Sequence, residues 1–562
     1  MFALGPSLAV FALGPACART DVAPDTPADT ARSESARAEP TDSLGRLDLA
    51  LSRHWADAGV EPSALSSDAE FLRRASLDLL GRVPTQVEVE AFLAEQGADK
   101  RSVLVDTMLR DERFSEHWAQ LWTAQLIPRE QRARRTAERP MQTFLADALT
   151  QNRAWDAVVT DLLTGEGALG DDPSLALLAA RDLRGPTREA ALAELTSTSA
   201  RVFLGARIEC AQCHDHPYVD FSREDFWATA AFFGRTTVRR NRDVKPPEIT
   251  VGERARGDLR IALGEGDDPR KLAIAPRYMG ADTGANMDTG TGPIEGPRRG
   301  ALAAAIVDDP RFAQATVGQV WARRFGRGIV EPWDDLLELS LSENKSEGPP
   351  ALLDELAADF RDHGHDLRHL LRTIVLSQAY QRSSRGGPDT SLARQPDASL
   401  ARERAFAQAA VRPLSAEQLF ASLITATGLE EVGGRAFRNT VRSRKNMALR
   451  EFEFVFSDDE MSGADSFTGS VAQALLVLNG GLSNQGVVAR PGSSLARILE
   501  AQGDTDARLE DLWLTVYGRL PSDAELALGR GLTADADDDS GDDAWEDLMF
   551  AMLYSSEFAS NH

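Results

Sequence analysis

Cysteine is almost missing: the 562 residues contain three, too few for a fold built on disulfides. Basic charge is short as well, with 62 Lys and Arg against 87 Asp and Glu and a formal net charge of −25. That deficit argues against a general nucleic-acid binder, because neutralising phosphates needs a basic surface. Beyond the N-terminus, no apolar run approaches the roughly 20 residues of a spanning helix, which excludes a multi-span membrane protein. No Ser-His-Asp order, phosphate-cradling glycine loop or His-Glu-x-x-His helix stands out, so no catalytic residue is assigned. Triads are spatial rather than sequential, which leaves the enzyme question open. What is present is a soluble composition, 42% hydrophobic and 27% charged. At about 150 residues per domain the length suits two to four domains, each able to bury a core.

The chain begins MFALGPSLAVFALGPA, apolar and uncharged, with Cys17 next. An apolar stretch ending in small residues is the pattern of an export signal. No Lys or Arg precedes it and Gly-Pro interrupts it twice. The small residues before Cys17 resemble a bacterial lipoprotein signal, with Gly14 where an aliphatic residue is usual, so Cys17 is the candidate lipidation site. Residues 18–43 hold almost no large apolar side chain and cannot offset their ordering entropy, which predicts a disordered tether. Leader (1–17), cysteine and tether predict an exported protein of the periplasm or cell envelope, with membrane association through an N-terminal lipid anchor.

From Leu44 the apolar spacing is helical. FLRRASLDLLGRVPT places Phe71, Leu72, Ala75, Leu79 and Leu80 on one face, with Gly81 and Pro84 ending that helix and Thr85 capping the next. Two further amphipathic segments point Val103, Leu104, Met108, Phe114, Trp118 and Trp122 inward, and Pro140 suits a first helical turn. Between Thr236 and Arg298, Val238, Ile249, Val251, Leu259 and Ile261 lie among Gly, Pro and charge, a composition of short strands and loops. The expected fold is mainly α: a helical domain over 44–235, a loop- and β-rich connector over 236–298, and a second helical domain over 299–562. An acidic run, ADADDDSGDDAWED, reads as a solvated loop. LVDTMLRDERFSEHWAQLW and AAIVDDPRFAQATVGQVW echo one another around Asp-x-Arg-Phe. Duplicated helical units and recurring packing solutions explain the echo equally well.

Chemistry concentrates in one segment, Glu209-Cys210-Ala211-Gln212-Cys213-His214-Asp215-His216-Pro217. Cys-x-x-Cys-His is the attachment pattern of c-type haem: the two thiols reach the two vinyl groups of one porphyrin and the next imidazole ligates iron. Three rivals remain. A Cys-x-x-Cys pair beside an imidazole suits thiolate redox chemistry; Cys210, Cys213, His214 and His216, with Asp215 or Asp220 nearby, suit zinc; and an oxidised pair is a structural staple in an exported protein. On the haem reading His117 is the candidate distal ligand, against the alternative of a partly buried histidine between helices. Trp118, Trp122, Trp227 and Trp321 can shield a cofactor, although aromatics at helix spacing are more often core. His363, His365 and His369 can form a separate cation cluster, surface histidines near a helix start being the commoner case.

The ordered series FLRRASLDLLGRVPT, RFSEHWAQLW, RVFLGARIECAQCHDHPY and FSREDFWATAAFFG resembles the first of two linked planctomycete secreted cytochrome-associated domains, domain-of-unknown-function family 1549. The later segments RRGALAAAIVDDPRFAQATVGQVWARRFGRGIVEP, LLDELAADFRDHGHDLRHLLRTIVLSQAYQRSS and RPLSAEQLF resemble its usual partner, family 1553. The resemblance implies an exported, mostly helical, two-part protein found beside cytochrome-like and polysaccharide-degrading systems, and no known reaction. Cys210, Cys213, His214, Asp215 and His216 match the family's Cys-x-x-Cys-His-x-His segment. The expectation is a c-type haem electron-transfer or redox module with envelope redox proteins as partners. The alternative is a non-enzymatic binding or scaffold protein with a disulfide or a Cys/His metal site.

Overall fold

In a computed structural model of the chain, the described residues are 41–128, 133–184, 187–244, 247–262, 271–279, 297–337, 350–385, 396–429, 487–534 and 541–562. The leader, Cys17, most of the tether and residues 535–540 of the acidic run lie outside them; from Gly541 the run opens the helix Gly541–Leu553 instead of continuing as the expected loop.

Helix α1 (Ser43–Asp57) starts where the Asp42 carboxylate accepts the Gly45 N–H and buries Leu47, Leu51 and Trp55 at i, i+4 spacing. α2 (Asp68–Leu80) is capped by Ser67 and stopped by Gly81, whose φ of 73° is left-handed. Every residue from Phe71 to Leu80 is buried, so the helix is not a surface helix with one apolar face; it runs through the interior. α3 (Gln86–Ala94) opens with the Thr85/Glu88 capping box. α4 (Lys100–Met108) presents Val105, Met108 and Leu109 inward. Val103, expected inside, is 54% exposed, because the buried face is the i, i+3, i+4 set of Val105, Met108 and Leu109, and a residue two positions before Val105 points to the opposite side of the helix. α5 (Glu112–Leu126) buries Phe114, Trp118 and Trp122 as expected. Pro140 occupies the first turn of the helix Arg139–Thr150.

Among the described residues, three short sheets interrupt the helices. β1 (Gly167–Ala168) and β2 (Thr236–Asn241) flank β3 (Glu248–Glu253) in antiparallel register, with Val251 opposite both Gly167 and Val238. β4 (Leu259–Ala262) pairs with β5 (Lys271–Ile274), Leu259 facing Ile274. β6 (Arg412–Pro413) pairs with β7 (Ser560–Asn561) at the end of the chain. Val238, Ile249, Val251, Leu259 and Ile261 are all buried, so the loop-rich stretch is pinned by the apolar residues that stand out in its sequence. No described helix is long and apolar enough to cross a membrane.

The helical regions before and after these strands share their cores. α1 packs on helices Pro350–Asp362 and Leu367–Leu376, and helix Arg188–Leu204 packs on Pro310–Phe325. α2 is the common wall. Phe71, Leu72, Ala75, Leu79 and Leu80 belong to a large cluster running from Leu47 to Ala407, whereas Leu77 and Val83 join a second cluster built from residues between Leu414 and Phe558. Its polar side chains bind distant parts of the chain. Arg73 donates to the carbonyls of Glu557 and Phe558 at 3.1 and 3.0 Å, and Arg74 to those of Tyr380 and Arg382 at 2.6 and 2.8 Å. Asp78 accepts from the Tyr380 hydroxyl at 2.8 Å, from Asn561 at 3.0 Å and from Arg412 at 2.9 Å.

The Asp-x-Arg-Phe echo has a local physical cause. Asp111 caps α5 by accepting the Arg113 backbone N–H at 2.9 Å, and the Arg113 side chain forks back onto the same carboxylate at 2.8 and 2.6 Å. Asp309 and Arg311 repeat the arrangement at the helix Pro310–Phe325, at 2.9, 3.0 and 2.6 Å. In both, the phenylalanine that follows, Phe114 or Phe312, is fully buried.

Candidate functional site

The cysteine segment sits where helix Arg188–Leu204 ends. Gly205, with φ of 56°, lets the chain leave the helix left-handed beside Leu336. A single 3₁₀ turn, Glu209–Gln212, follows; it contains Cys210 and ends at Cys213, whose N–H donates to the Cys210 carbonyl. Ala211 is the buried side of that turn, while Cys210, Cys213, His214 and Asp215 face solvent. Both thiols are free. The turn is held from behind by Trp227, whose indole N–H donates to the Gln212 carbonyl at 3.1 Å. It is held from the side by Asp215, which accepts the Arg223 backbone N–H at 2.8 Å. Arg223 opens the helix Arg223–Ala230, where Ser222 and Asp225 form a capping box. Thus the turn rests on the N-terminus of a helix that the sequence itself specifies.

The two histidines of the segment differ in what their ring nitrogens do. His214 Nδ1 lies 2.7 Å from the Asp215 carbonyl, a contact that needs Nδ1–H and so leaves the Nε2 lone pair free on an exposed ring. His216 has both nitrogens engaged: Nε2 with the Arg207 carbonyl at 3.1 Å, and Nδ1 accepting the Tyr218 N–H at 3.4 Å. His216 therefore ties the loop to itself, and Arg207 is anchored to the buried Asp334 at 2.7 Å. The zinc alternative loses a free donor at this position. Among the described residues, ligand atoms of three or more His, Cys, Asp or Glu lie within 4.8 Å of one another only at Asp359, His363 and His369. The four-residue set of Cys210, Cys213, His214 and His216 is not drawn together in that way.

His117 stands elsewhere. Its ring packs against Gly81, where an added Cβ would come within 2.5 Å of Nδ1, and it lines a cavity of about 690 Å³ with Arg82, Arg113, Phe420 and Arg497. No residue of the cysteine segment lines that cavity. Burial, aided by Arg324, pushes the imidazole down to about 3, so it is neutral at physiological pH. The unfolded chain takes up this proton near pH 6.5 and the folded one only near 3. Stability from this group is therefore present above 6.5 and lost as pH falls between those values. Between pH 6 and 5, wild type should lose roughly 1 kcal/mol more unfolding free energy than His117→Gln. Urea titrations at the two pH values measure it, and equal losses would contradict a neutral buried ring.

Of the four tryptophans considered as a cofactor shield, Trp118, Trp122 and Trp321 are core residues. Trp122 packs on Trp155 with centroids 4.4 Å apart, and Trp321 stacks on Phe325 at 4.2 Å. Trp227 alone bonds to the cysteine turn. His365, grouped by sequence with His363 and His369, turns away. Its φ of 54° places the ring between Phe312 and Phe360. Asp359 takes its place beside the other two; only its i, i+4 relation to His363 signals this in the sequence.

Residues 46–238 match the family model described as a protein of unknown function, DUF1549 (PSCyt2), and residues 298–450 match that of a protein of unknown function, DUF1553 (PSD1). The first match contains the cysteine segment, His117 and β1; the second contains Asp359, His363 and His369. No curated protein and no solved structure matches the chain.

Proposed function

Since the chain is a two-domain protein of the DUF1549–DUF1553 family, we propose that it is an exported cell-envelope protein carrying one c-type haem as an electron-transfer or redox module. The observation that carries the reading is His214: its Nδ1 is held by the Asp215 carbonyl at 2.7 Å, which orients Nε2 as a ligand next to two free, exposed thiols, one in a 3₁₀ turn and one at its end. The donor set fits the group. Cys210 and Cys213 would hold the haem through thioethers and His214 would ligate its iron. Bound haem supplies one-electron transfer at its iron.

The remaining residues hold and orient. Ala211, which is buried, and Trp227, through its bond to the Gln212 carbonyl, fix the turn from the protein side. Asp215 serves twice, its carbonyl on His214 and its carboxylate on the helix Arg223–Ala230. Exposure of both cysteines leaves them accessible to an attachment machinery. Envelope redox proteins are the partners this reading requires, and the apolar leader with Cys17 supplies export and a lipid anchor.

Protein purified from an export- and maturation-competent host should keep its Soret absorbance after denaturation, because the link is covalent. His214→Ala should alter the band position and ligand state while leaving the haem attached. A colourless, metal-free product from that host would overturn the reading in favour of a scaffold.

A further inference from the structure

The last turn of helix Pro350–Asp362 and the first turn of helix Leu367–Leu376 are joined by Gly364 and His365, both left-handed with φ of 63° and 54°. That tight reversal sets His363 against His369, their rings stacked with centroids 3.7 Å apart and planes 14° from parallel. Asp359 lies beneath them. Its Oδ2 accepts from His369 Nε2 at 2.8 Å, and its Oδ1 lies 3.5 Å from His363 Nδ1. All three ligand atoms fall within 4.8 Å of one another.

We propose that Asp359, His363 and His369 bind one divalent transition-metal ion, with zinc the best match to two imidazoles and one carboxylate. Bonds of about 2.0–2.1 Å in a tetrahedral zinc site separate neighbouring ligand atoms by about 3.3 Å. The one edge already formed at Oδ2, 2.8 Å to His369 Nε2, is somewhat shorter than that value, and one ligand atom of each of the three residues lies within 4.8 Å of the others, so side-chain rotations open the site. The ion replaces the proton shared by His369 Nε2 and Asp359 Oδ2, and that proton goes to solvent. His363 gives up its contact with the Asp359 backbone carbonyl, 2.8 Å from Nδ1, and tilts out of the stack. Its side chain is 42% exposed, which leaves it room.

The carboxylate is already oriented. Ser43 donates to Oδ1 at 2.5 Å and Arg46 at 2.7 Å, both from the start of α1, which leaves Oδ2 for the ion. The Arg46 charge opposes the ion and sets the affinity below that of a closed structural site. Three protein ligands and an exposed fourth corner describe a site that keeps one position for water or another ligand. This site does not depend on the haem reading, since it shares no residue with the cysteine segment.

The test uses full-length protein with Cys210→Ser and Cys213→Ser, which removes the competing thiolates. Zinc titrated against a chromophoric chelator should fill one site per chain and raise the melting temperature. His363→Ala and His369→Ala should each weaken binding at least about tenfold and abolish the thermal shift, with unchanged circular dichroism. Cobalt(II) added to the wild-type chain should give d–d bands of nitrogen and oxygen ligation in addition to any thiolate band. No bound zinc, or zinc bound equally well by the double alanine variant, would overturn the proposal, as would cobalt spectra of thiolate ligation alone.

Discussion

Asp78→Ala is expected to lower the unfolding free energy by about 3–5 kcal/mol, the range for removing one partner of a buried ion pair. The carboxylate is fully buried in the last turn of α2 and is bonded to Arg412 at 2.9 Å, Tyr380 at 2.8 Å and Asn561 at 3.0 Å, with Arg324 at 3.2 Å. Burial alone would raise its pKa; Arg412 and Arg324 outweigh burial and hold it below the usual carboxylate range. Removing it leaves the Arg324 guanidinium, 3% exposed, facing Arg412 without a counter-charge. The loss should appear as a lower urea midpoint, with the native circular dichroism kept at zero denaturant if enough stability remains. Asp78→Asn should lose nearly as much, because it keeps the shape and removes only the charge. A change under about 1 kcal/mol in both variants would mean that the two arginines are not compensated by Asp78. The sign with pH follows: a depressed folded pKa gives stability that is present above the unfolded value and lost as pH falls through the folded one.

The second large effect concerns attachment. Cys210→Ser with Cys213→Ser should abolish denaturation-resistant haem altogether, since no thiol remains to form a thioether. Either single variant should retain a weaker, single-link product that is partly lost during maturation. Neither change should alter folding, because both side chains face solvent and neither is joined in a disulfide. A fall in stability of the double variant comparable to that of Asp78→Ala would instead mean that the cysteines brace the fold. Equal denaturation-resistant absorbance in wild type and double variant would place the haem elsewhere.

The contrast between these two predictions reflects what a sequence displays. Local devices are legible in it: the Gly81 stop, the Thr85 cap, Pro140 in a first turn and the apolar residues of the strand-rich segment all recur in the structure, because each is decided within a few residues. The Cys-x-x-Cys-His spacing is legible for the same reason. The Asp78 network is not, since its partners lie 246, 302, 334 and 483 residues away and nothing local marks an aspartate in an amphipathic pattern as buried. α2 looked amphipathic because its charged residues break the apolar run; they are buried because those charges bond to carbonyls and counter-ions from other segments. The same limit separates His365 from the histidine cluster and brings Asp359 into it: a left-handed backbone at His365 re-aims one side chain, and no periodicity records that.

Peptide mass tests the central claim most directly. Trypsin cuts after Arg207 and Arg223, releasing Ile208–Arg223 with both cysteines and His214. From protein matured in an export-competent host, this peptide should carry the added mass of one haem and absorb in the Soret region, with fragmentation placing the group on Cys210 and Cys213. The unmodified mass, or one lighter by the two hydrogens of a disulfide, would contradict the account.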